Sequence, residues 1–155
     1  DKVELLSDTA KRTMEAGREI TGQTYSLAMR AAELVRAELL GFFDDYDLLL
    51  TPSTAVSAFV CGDRPKKING VEVGRLWGAF PFSVPFNLSG QPAASVPCGL
   101  SRDGLPIGVQ IVGQIGEDAM VLGVANALEE ANPWAQQLPS MDFASSAGDT
   151  GDPNC

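Results

Sequence analysis

The fold is decided by residues 93–112, whose sequence is Ala-Ala-Ser-Val-Pro-Cys-Gly-Leu-Ser-Arg-Asp-Gly-Leu-Pro-Ile-Gly-Val-Gln-Ile-Val. The two ends of this stretch, Ala93 to Gly99 and Ile107 to Val112, are apolar runs of strand length. Residues 101–106 join them and contain Asp, Gly and Pro, which favour turns because they pre-set or permit turn dihedral angles. The pattern therefore predicts an antiparallel hairpin.

Three helices are predicted around this hairpin. The first runs from Ser7 to Ile20, with Ser7 or Asp8 as its N-cap. The second runs from Gln23 to Phe43 behind a Thr21 cap, and its apolar residues recur at helical spacing. That apolar face consists of Leu27, Ala28, Ala31, Leu34, Val35, Leu39 and Phe42. The third helix begins at the acidic pair Glu117 and Asp118 and ends near Ala131, before Asn132 and Pro133.

A third strand is predicted between the second helix and the hairpin. Leu48 to Thr51 is a short apolar run that Pro52 stops, which is typical of a strand buried on both faces in a parallel or mixed sheet. Residues Ser53 to Trp77 form a long excursion, in which Asn69-Gly70 predicts a tight hairpin turn. Residues Gly78 to Gly90 are apolar and broken by prolines, so we expect a loop with one helical turn packed in the interior.

The chain shows one structural unit, because no repeat or linker divides it. We assign residues 1–138 to this unit and interpret Pro139 to Cys155, which offers little to bury, as a disordered tail. The chain begins at Asp1 rather than Met, so we expect a fragment or a processed product. No signal peptide is present, and the longest uncharged stretch contains four prolines, so we expect a soluble protein.

Composition excludes several classes of function. The 155 residues include no histidine, which removes Ser-His-Asp and Cys-His nucleophiles and His-ligated zinc sites. The formal net charge is −9, and all eleven Lys and Arg residues lie at or before Arg102, which argues against nucleic acid or an anionic membrane as a partner. The cysteines Cys61, Cys98 and Cys155 form no CxxC pair, and free thiols fit a reducing cytoplasm.

The sequence also lacks several known catalytic and ligand-binding motifs. No glycine precedes a lysine and no two glycines lie two residues apart, so neither a P-loop nor a dinucleotide fingerprint exists. We interpret the acids Asp44, Asp45 and Asp47 as a solvated turn rather than a cation site, because they lack the spacing of a calcium loop. Ser89 is interpreted as a turn residue rather than a nucleophile, and no lysine lies in an apolar setting that would make it a base.

Several segments together resemble the C-terminal part of an amidase signature family enzyme. They are Phe-Asn-Leu-Ser-Gly-Gln-Pro-Ala-Ala-Ser-Val-Pro-Cys-Gly at residues 86–99, Gly-Leu-Pro-Ile-Gly-Val-Gln-Ile-Val-Gly at 104–113, Asp-Leu-Leu-Leu-Thr-Pro-Ser-Thr at 47–54, and the helix at 117–131. The resemblance extends over roughly Gly17 to Leu138. It implies an α/β fold, namely the C-terminal portion of an α/β/α structure with a central mixed sheet.

The resemblance implies amide hydrolysis without a metal or organic cofactor. Members of the family use a serine nucleophile, a second serine on a cis peptide and a lysine, in and upstream of a glycine- and serine-rich region. This sequence has no such region, so it supplies sheet and pocket wall and no catalytic residue. The resemblance implies substrate-binding roles for Pro52, Thr54, Trp77, Phe80 and Asn87.

The expected substrate is a neutral or apolar amide. Relatives that use glutamine have an acid several positions before the residue matching Asn87, whereas Trp77 to Phe82 contains none. The alternative to a substrate-binding role for Trp77 and Phe80 is that both side chains belong to the hydrophobic core. The expected partner is a small-molecule amide, bound when this chain is joined to the N-terminal part, with no nucleic acid and no membrane, and a homodimer is left open. The alternative function is a non-catalytic, truncated amidase-like module acting in protein–protein association.

Overall fold

The computed structural model describes residues 2–74 and 77–134. After a short 3-10 turn at Val3–Leu5, the elements follow one another along the chain. The helices are α1 (Asp8–Arg18), α2 (Gly22–Asp45), α3 (Val84–Ser89) and α4 (Asp118–Ala131), and the strands are β1 (Leu48–Pro52), β2 (Lys67–Ile68), β3 (Val71–Glu72), β4 (Ala93–Leu100) and β5 (Pro106–Gly113). The predicted tail at 139–155 lies outside the described residues, so it stays a prediction.

The described part of the chain has an α/β fold built on a sheet of order β1-β5-β4. The predicted hairpin is confirmed, because β4 and β5 pair antiparallel with a register irregularity between Pro97 and Gly99. Strand β1 pairs antiparallel with the other edge of β5, so that Leu49 lies opposite Val112 and Thr51 opposite Gln110.

The predicted environment of β1 differs from the structure. Its pairing with β5 is antiparallel, which contradicts a purely parallel sheet and is compatible with a mixed one. Leu48 and Leu49 are half-buried and the side chain of Leu50 is 56% exposed, so the strand is not buried on both faces. The reason is that β1 is an edge strand of this sheet, where β5 is its one neighbour among the described strands.

Helices cover both faces of the sheet. On one face Phe43 of α2 and Phe86 of α3 pack with Val112, and Leu39, Phe42 and Leu49 surround this cluster. On the opposite face Val121 of α4 is 2% exposed and lies directly over Gly113, where its side chain fills the space that a Cβ would take. The result is a helix–sheet–helix arrangement with two thin apolar layers.

The helix caps follow the predicted chemistry. The Ser7 hydroxyl oxygen accepts a hydrogen bond from the Ala10 amide at 3.3 Å, and the Thr21 hydroxyl oxygen accepts one from the Thr24 amide at 3.1 Å. Each cap satisfies one of the amide donors that a helix leaves unpaired in its first turn. The two helices therefore begin where the sequence indicates.

The apolar face predicted for α2 is largely uncovered. Val35, Leu39 and Phe42 near its C-terminal half are partly buried, but the side chains of Leu27 and Leu34 are 63% and 60% exposed. The helical spacing is correct, and the described residues contain no element that packs over the N-terminal half. Of the described helices, none is long and apolar enough to cross a membrane.

The small hairpin predicted in the excursion is confirmed. Strands β2 and β3 pair antiparallel, with Ile68 opposite Val71. Asn69 and Gly70 have φ angles of 48° and 79°, which is the left-handed region that a two-residue turn of this twist requires. The predicted helical turn inside residues 78–90 is also confirmed, as α3.

Close packing of α4 on the sheet predicts opposite effects for two glycine substitutions. A Cβ at Gly113 would lie 2.7 Å from the Val121 Cγ2 atom, so Gly113→Ala should lower the free energy of unfolding by about 1–3 kcal/mol through overpacking. Gly123 lies inside α4, where a Cβ would have no atom within 4 Å, so Gly123→Ala should raise that free energy by about 0.5–1 kcal/mol. Urea unfolding of both variants measures the difference. Equal effects would contradict the packing of α4 on β5.

Candidate functional site

A polar strip crosses the face of the sheet that α2 and α3 cover. Thr51, Gln110 and Ser95 lie side by side on β1, β5 and β4, one row beyond the apolar pair Leu49 and Val112. Ser53 follows β1, and its hydroxyl oxygen lies 2.5 Å from the hydroxyl oxygen of Ser95. We call these four residues, Thr51, Ser53, Ser95 and Gln110, the polar strip.

Gly108 allows the two serine hydroxyls to meet across β5. A Cβ at this position would lie 2.7 Å from the Ser53 hydroxyl oxygen and 2.9 Å from that of Ser95. The Gly108 carbonyl also accepts a hydrogen bond from the Ser53 amide at 3.0 Å, which continues the β1–β5 ladder by one residue. A side chain at 108 would therefore push the hydroxyl groups apart.

The Gln110 side-chain amide connects the polar strip to the loop before α3. Its Nε2 donates to the Thr51 hydroxyl oxygen at 2.9 Å and to the Phe82 carbonyl at 3.0 Å. Residues 77–82, Trp-Gly-Ala-Phe-Pro-Phe, are here called the aromatic segment. The Gln110 contact shows that the end of this segment lies against the sheet at the polar strip.

The loop containing Pro52 and Thr54 lies beside the aromatic segment. Pro52 is the last residue of β1 and is exposed opposite Val109. The exposed Thr54 donates its hydroxyl proton to the Val56 carbonyl at 2.8 Å. The Ala55 amide then donates to the Ala79 carbonyl at 3.0 Å, which joins the two loops. The structure thus brings the predicted loops together, and their contact with a substrate stays a prediction.

The two predicted aromatic wall residues have different surroundings. Phe80 is half-buried, with its ring centroid 6.3 Å from that of Phe59 and 5.6 Å from the Arg64 guanidinium carbon. The Trp77 side chain is 60% exposed, so in the described chain it is not part of the core. Phe80 therefore belongs to a small cluster at the excursion, and Trp77 presents an apolar surface beside it.

Asn87 lies in α3 with an exposed side chain. Its backbone amide donates to the Ser83 carbonyl at 3.1 Å, as expected inside a helical turn. Within residues 2–74 and 77–134, no hydrogen bond involves its side-chain amide. The substrate-binding role that the resemblance implies for Asn87 remains a prediction.

Ser89, interpreted from the sequence as a turn residue, is instead the last residue of α3 and is fully buried. Its hydroxyl donates to the Pro85 carbonyl at 2.8 Å and also contacts the Gln91 side-chain oxygen. Gly90, which follows with a φ angle of 83°, makes the turn. Ser89 belongs to the helix because Gly90 can adopt the left-handed cap and the Ser89 hydroxyl can bond back to its own helix.

The cysteines differ from the expectation of free thiols. Cys98 is free and exposed, whereas Cys61 is disulfide-bonded. The expectation is therefore wrong for Cys61. An odd number of widely spaced cysteines does not decide which of them pair, because pairing depends on their distance in the folded chain.

The polar strip provides hydroxyl and amide groups but no base. Lys67 forms a surface ion pair with Glu72 at 3.7 Å, and among the described residues no hydrogen bond joins a lysine to a serine. Asp44, Asp45 and Asp47 are exposed, and the described residues contain no group of acids, cysteines or histidines arranged to hold a metal ion. A shallow cavity of about 240 Å³ lies in the excursion, lined by Gly62, Asp63, Arg64, Pro65, Lys66 and Val73.

Sequence reasoning missed the contact that Gln110 makes. A signal for it existed, because Gln110 is an amide inside the apolar run Ile107 to Val112, and buried amides need hydrogen-bond partners. The partners themselves could not be predicted, since Thr51 and Phe82 are 59 and 28 residues away in sequence.

Comparison with known proteins identifies the family to which this chain is similar. A family model described as Amidase matches residues 2–122. The chain is 40% identical over 118 residues to a glutamyl-tRNA(Gln) amidotransferase subunit of Brevibacillus brevis, and the match covers 74% of this chain and 22% of that protein. It is 32% identical over 117 residues to the corresponding protein of Thermosynechococcus vestitus, covering 76% and 23%. The chain thus spans about a quarter of the length of these curated relatives.

Solved structures show the same likeness. A bacterial aryl acylamidase of the amidase signature family superposes with a TM-score of 0.74 at 35% identity, covering 84% of this chain and 27% of that one. A 6-aminohexanoate cyclic dimer hydrolase superposes with a TM-score of 0.68 at 28% identity, covering 87% and 31%.

Proposed function

The chain belongs to the amidase family, and from that premise we propose that it forms part of an enzyme that hydrolyses a carbon–nitrogen amide bond. The observation that carries this proposal is the family match over residues 2–122, which includes every residue of the polar strip and of the aromatic segment. Hydrolysis releases ammonia or an amine together with a carboxylic acid.

The contribution of this chain is structural and lies in the pocket wall. The polar strip offers hydroxyl groups and an amide without a nearby base, so a serine nucleophile would have to be activated by groups from elsewhere in the enzyme. The exposed apolar side chains of Leu27 and Leu34 on α2 support a function in which more protein packs on that helix. The catalytic serines and lysine would then come from the N-terminal part of the same enzyme.

A neutral or apolar amide is the proposed substrate. The aromatic segment contains no acidic residue that could recognise an ammonium group. Trp77 and Phe80 instead offer apolar area beside the end of β1, where the loop of Pro52 and Thr54 also lies. The 35% identity to a protein described as an aryl acylamidase fits this choice.

Glutamine is the second candidate for the amide. The observation that favours it is the 40% identity with an amidotransferase protein. The full-length protein decides between the two when its kcat/KM is measured for a neutral aryl amide and for glutamine. A preference for glutamine would overturn the proposed apolar specificity and keep the proposed amide hydrolysis.

The 155-residue chain by itself is expected to release no ammonia or amine from either amide, because it has no histidine and, in the described residues, no lysine hydrogen-bonded to a serine. An ammonia assay checks this, with the full-length protein as the positive control. Turnover that survives removal of contaminating amidases would overturn the missing catalytic set. Light scattering of the same sample tests the alternative function, since a stable, soluble and inactive monomer would favour an independent association module.

Phe80 is expected to determine acceptance of apolar amides. In the full-length enzyme, Phe80→Ala should lower kcat/KM for an aryl amide about tenfold, because apolar contact with the substrate is lost. The value for a small aliphatic amide should change less than about twofold, roughly within the scatter of surface substitutions. Val60→Ala, at a side chain that is 76% exposed, is the control. Equal losses for both amides would remove Phe80 from the pocket.

A further inference from the structure

Gln110 is a buried amide in the most completely buried part of the sheet. It is 7% exposed, and the next two residues of β5, Ile111 and Val112, are both 0% exposed. A buried amide without partners costs roughly 1–3 kcal/mol, so its hydrogen bonds decide whether the strand tolerates it. An apolar residue at position 110 would be enough if the site required only close packing. The presence of an amide there is therefore explained by the hydrogen bonds that it makes.

The two amide protons of Gln110 are both used, and they connect different parts of the fold. One bond crosses to Thr51 at the same level of β1, within the sheet. The other leaves the sheet and reaches the backbone carbonyl of Phe82. A side-chain amide has two donor protons, so the donor capacity of Nε2 is fully satisfied by these two acceptors.

The bond to Phe82 fixes the end of the aromatic segment. At the middle of the segment, the Ala79 carbonyl is held by the Ala55 amide at 3.0 Å. Between Ala79 and the start of α3, the described hydrogen bonds are local, such as that from the Ser83 hydroxyl to the Phe80 carbonyl at 3.2 Å, except for the one from Gln110. Phe80 lies between these two attachment points, so its position depends on both.

We propose that Gln110 is a positioning residue, which holds the aromatic segment at a fixed distance from the end of β1 and thereby sets how well the enzyme accepts bulky apolar amides. The inference rests on the proposed function for its consequence in catalysis. The tether itself rests on the two hydrogen bonds of Gln110. Gln110 acts through Phe80 and Trp77 and does not touch the substrate.

Two isosteric substitutions in the full-length protein separate the tether from strand pairing. Gln110→Met removes both donors at similar volume. Thr51→Val removes the acceptor on β1 together with the bond from the Thr51 hydroxyl to the Pro52 carbonyl, and it keeps the bond from Gln110 to Phe82. Hydrogen–deuterium exchange of peptides covering residues 77–83 is the direct readout. Exchange there should rise in Gln110→Met and stay unchanged in Thr51→Val, while peptides of the β2–β3 hairpin serve as the internal reference. Unchanged exchange in Gln110→Met, or an equal rise in both variants, would overturn the tether.

Steady-state kinetics tests the consequence for specificity. Gln110→Met should raise KM for a bulky aryl amide about tenfold, with kcat and the values for a small aliphatic amide within about twofold. Val60→Ala, the exposed control outside the polar strip, should change neither KM nor kcat for either amide. Adding Phe80→Ala completes a double-mutant cycle. Since Gln110 acts through Phe80, the two losses should be strongly non-additive, and additive losses would overturn the proposal. A loss of kcat shared by all amides would do the same, because it indicates general destabilisation.

The two proposals can fail separately. Hydrolysis by the unmodified full-length protein decides the proposed function, whereas hydrogen–deuterium exchange decides the tether without any substrate. If Gln110→Met does not fold, Gln110→Asn takes its place, because it keeps an amide in the interior but withdraws it by one methylene from both acceptors. The same rise in exchange at 77–83 is expected, and its absence would overturn the tether.

Discussion

Strand β5 is the constraint on which the rest of the described structure depends. It is paired on both edges, with β1 on one side and β4 on the other, and its two faces are covered by different helices. Val112 contacts the α2–α3 layer and Gly113 admits Val121 of α4. A strand enclosed in this way tolerates few polar groups, so the amide of Gln110 needs partners in the structure around it.

The candidate site is a consequence of this enclosure. The row of the sheet formed by Thr51, Gln110 and Ser95 is polar, and the loop before α3 contacts it at Phe82. Gly108 leaves room for two serine hydroxyls, and Gln110 extends from the strand to a backbone carbonyl outside the sheet. The sheet thus positions two loops that bear Thr54, Trp77 and Phe80, three of the five predicted substrate-binding residues, as is common for sites built on a stable scaffold.

Much of the fold could be predicted from local patterns. The β4–β5 hairpin, the Asn69-Gly70 turn and the capped starts of α1 and α2 each depend on residues close in sequence, and the structure contains all of them. The incorrect predictions concern burial, which depends on residues that are distant in sequence. Burial on both faces was predicted for strand β1, but it lies at the edge of the sheet that the described strands form, and the apolar face of α2 is exposed at Leu27 and Leu34. Apolar spacing shows which residues can be buried, and it does not show what covers them.

The sequence by itself determined the α/β class, the hairpin, the missing histidine chemistry and the resemblance to amidases, because these follow from local spacing, turn residues and composition. The tertiary structure alone decided which residues meet. Ser53 meets Ser95 across Gly108, and Gln110 meets Phe82. These pairs are tens of residues apart, and their contact depends on strand register and on the path of a loop. A hydrogen bond needs positions correct to a fraction of an ångström, which local patterns do not specify.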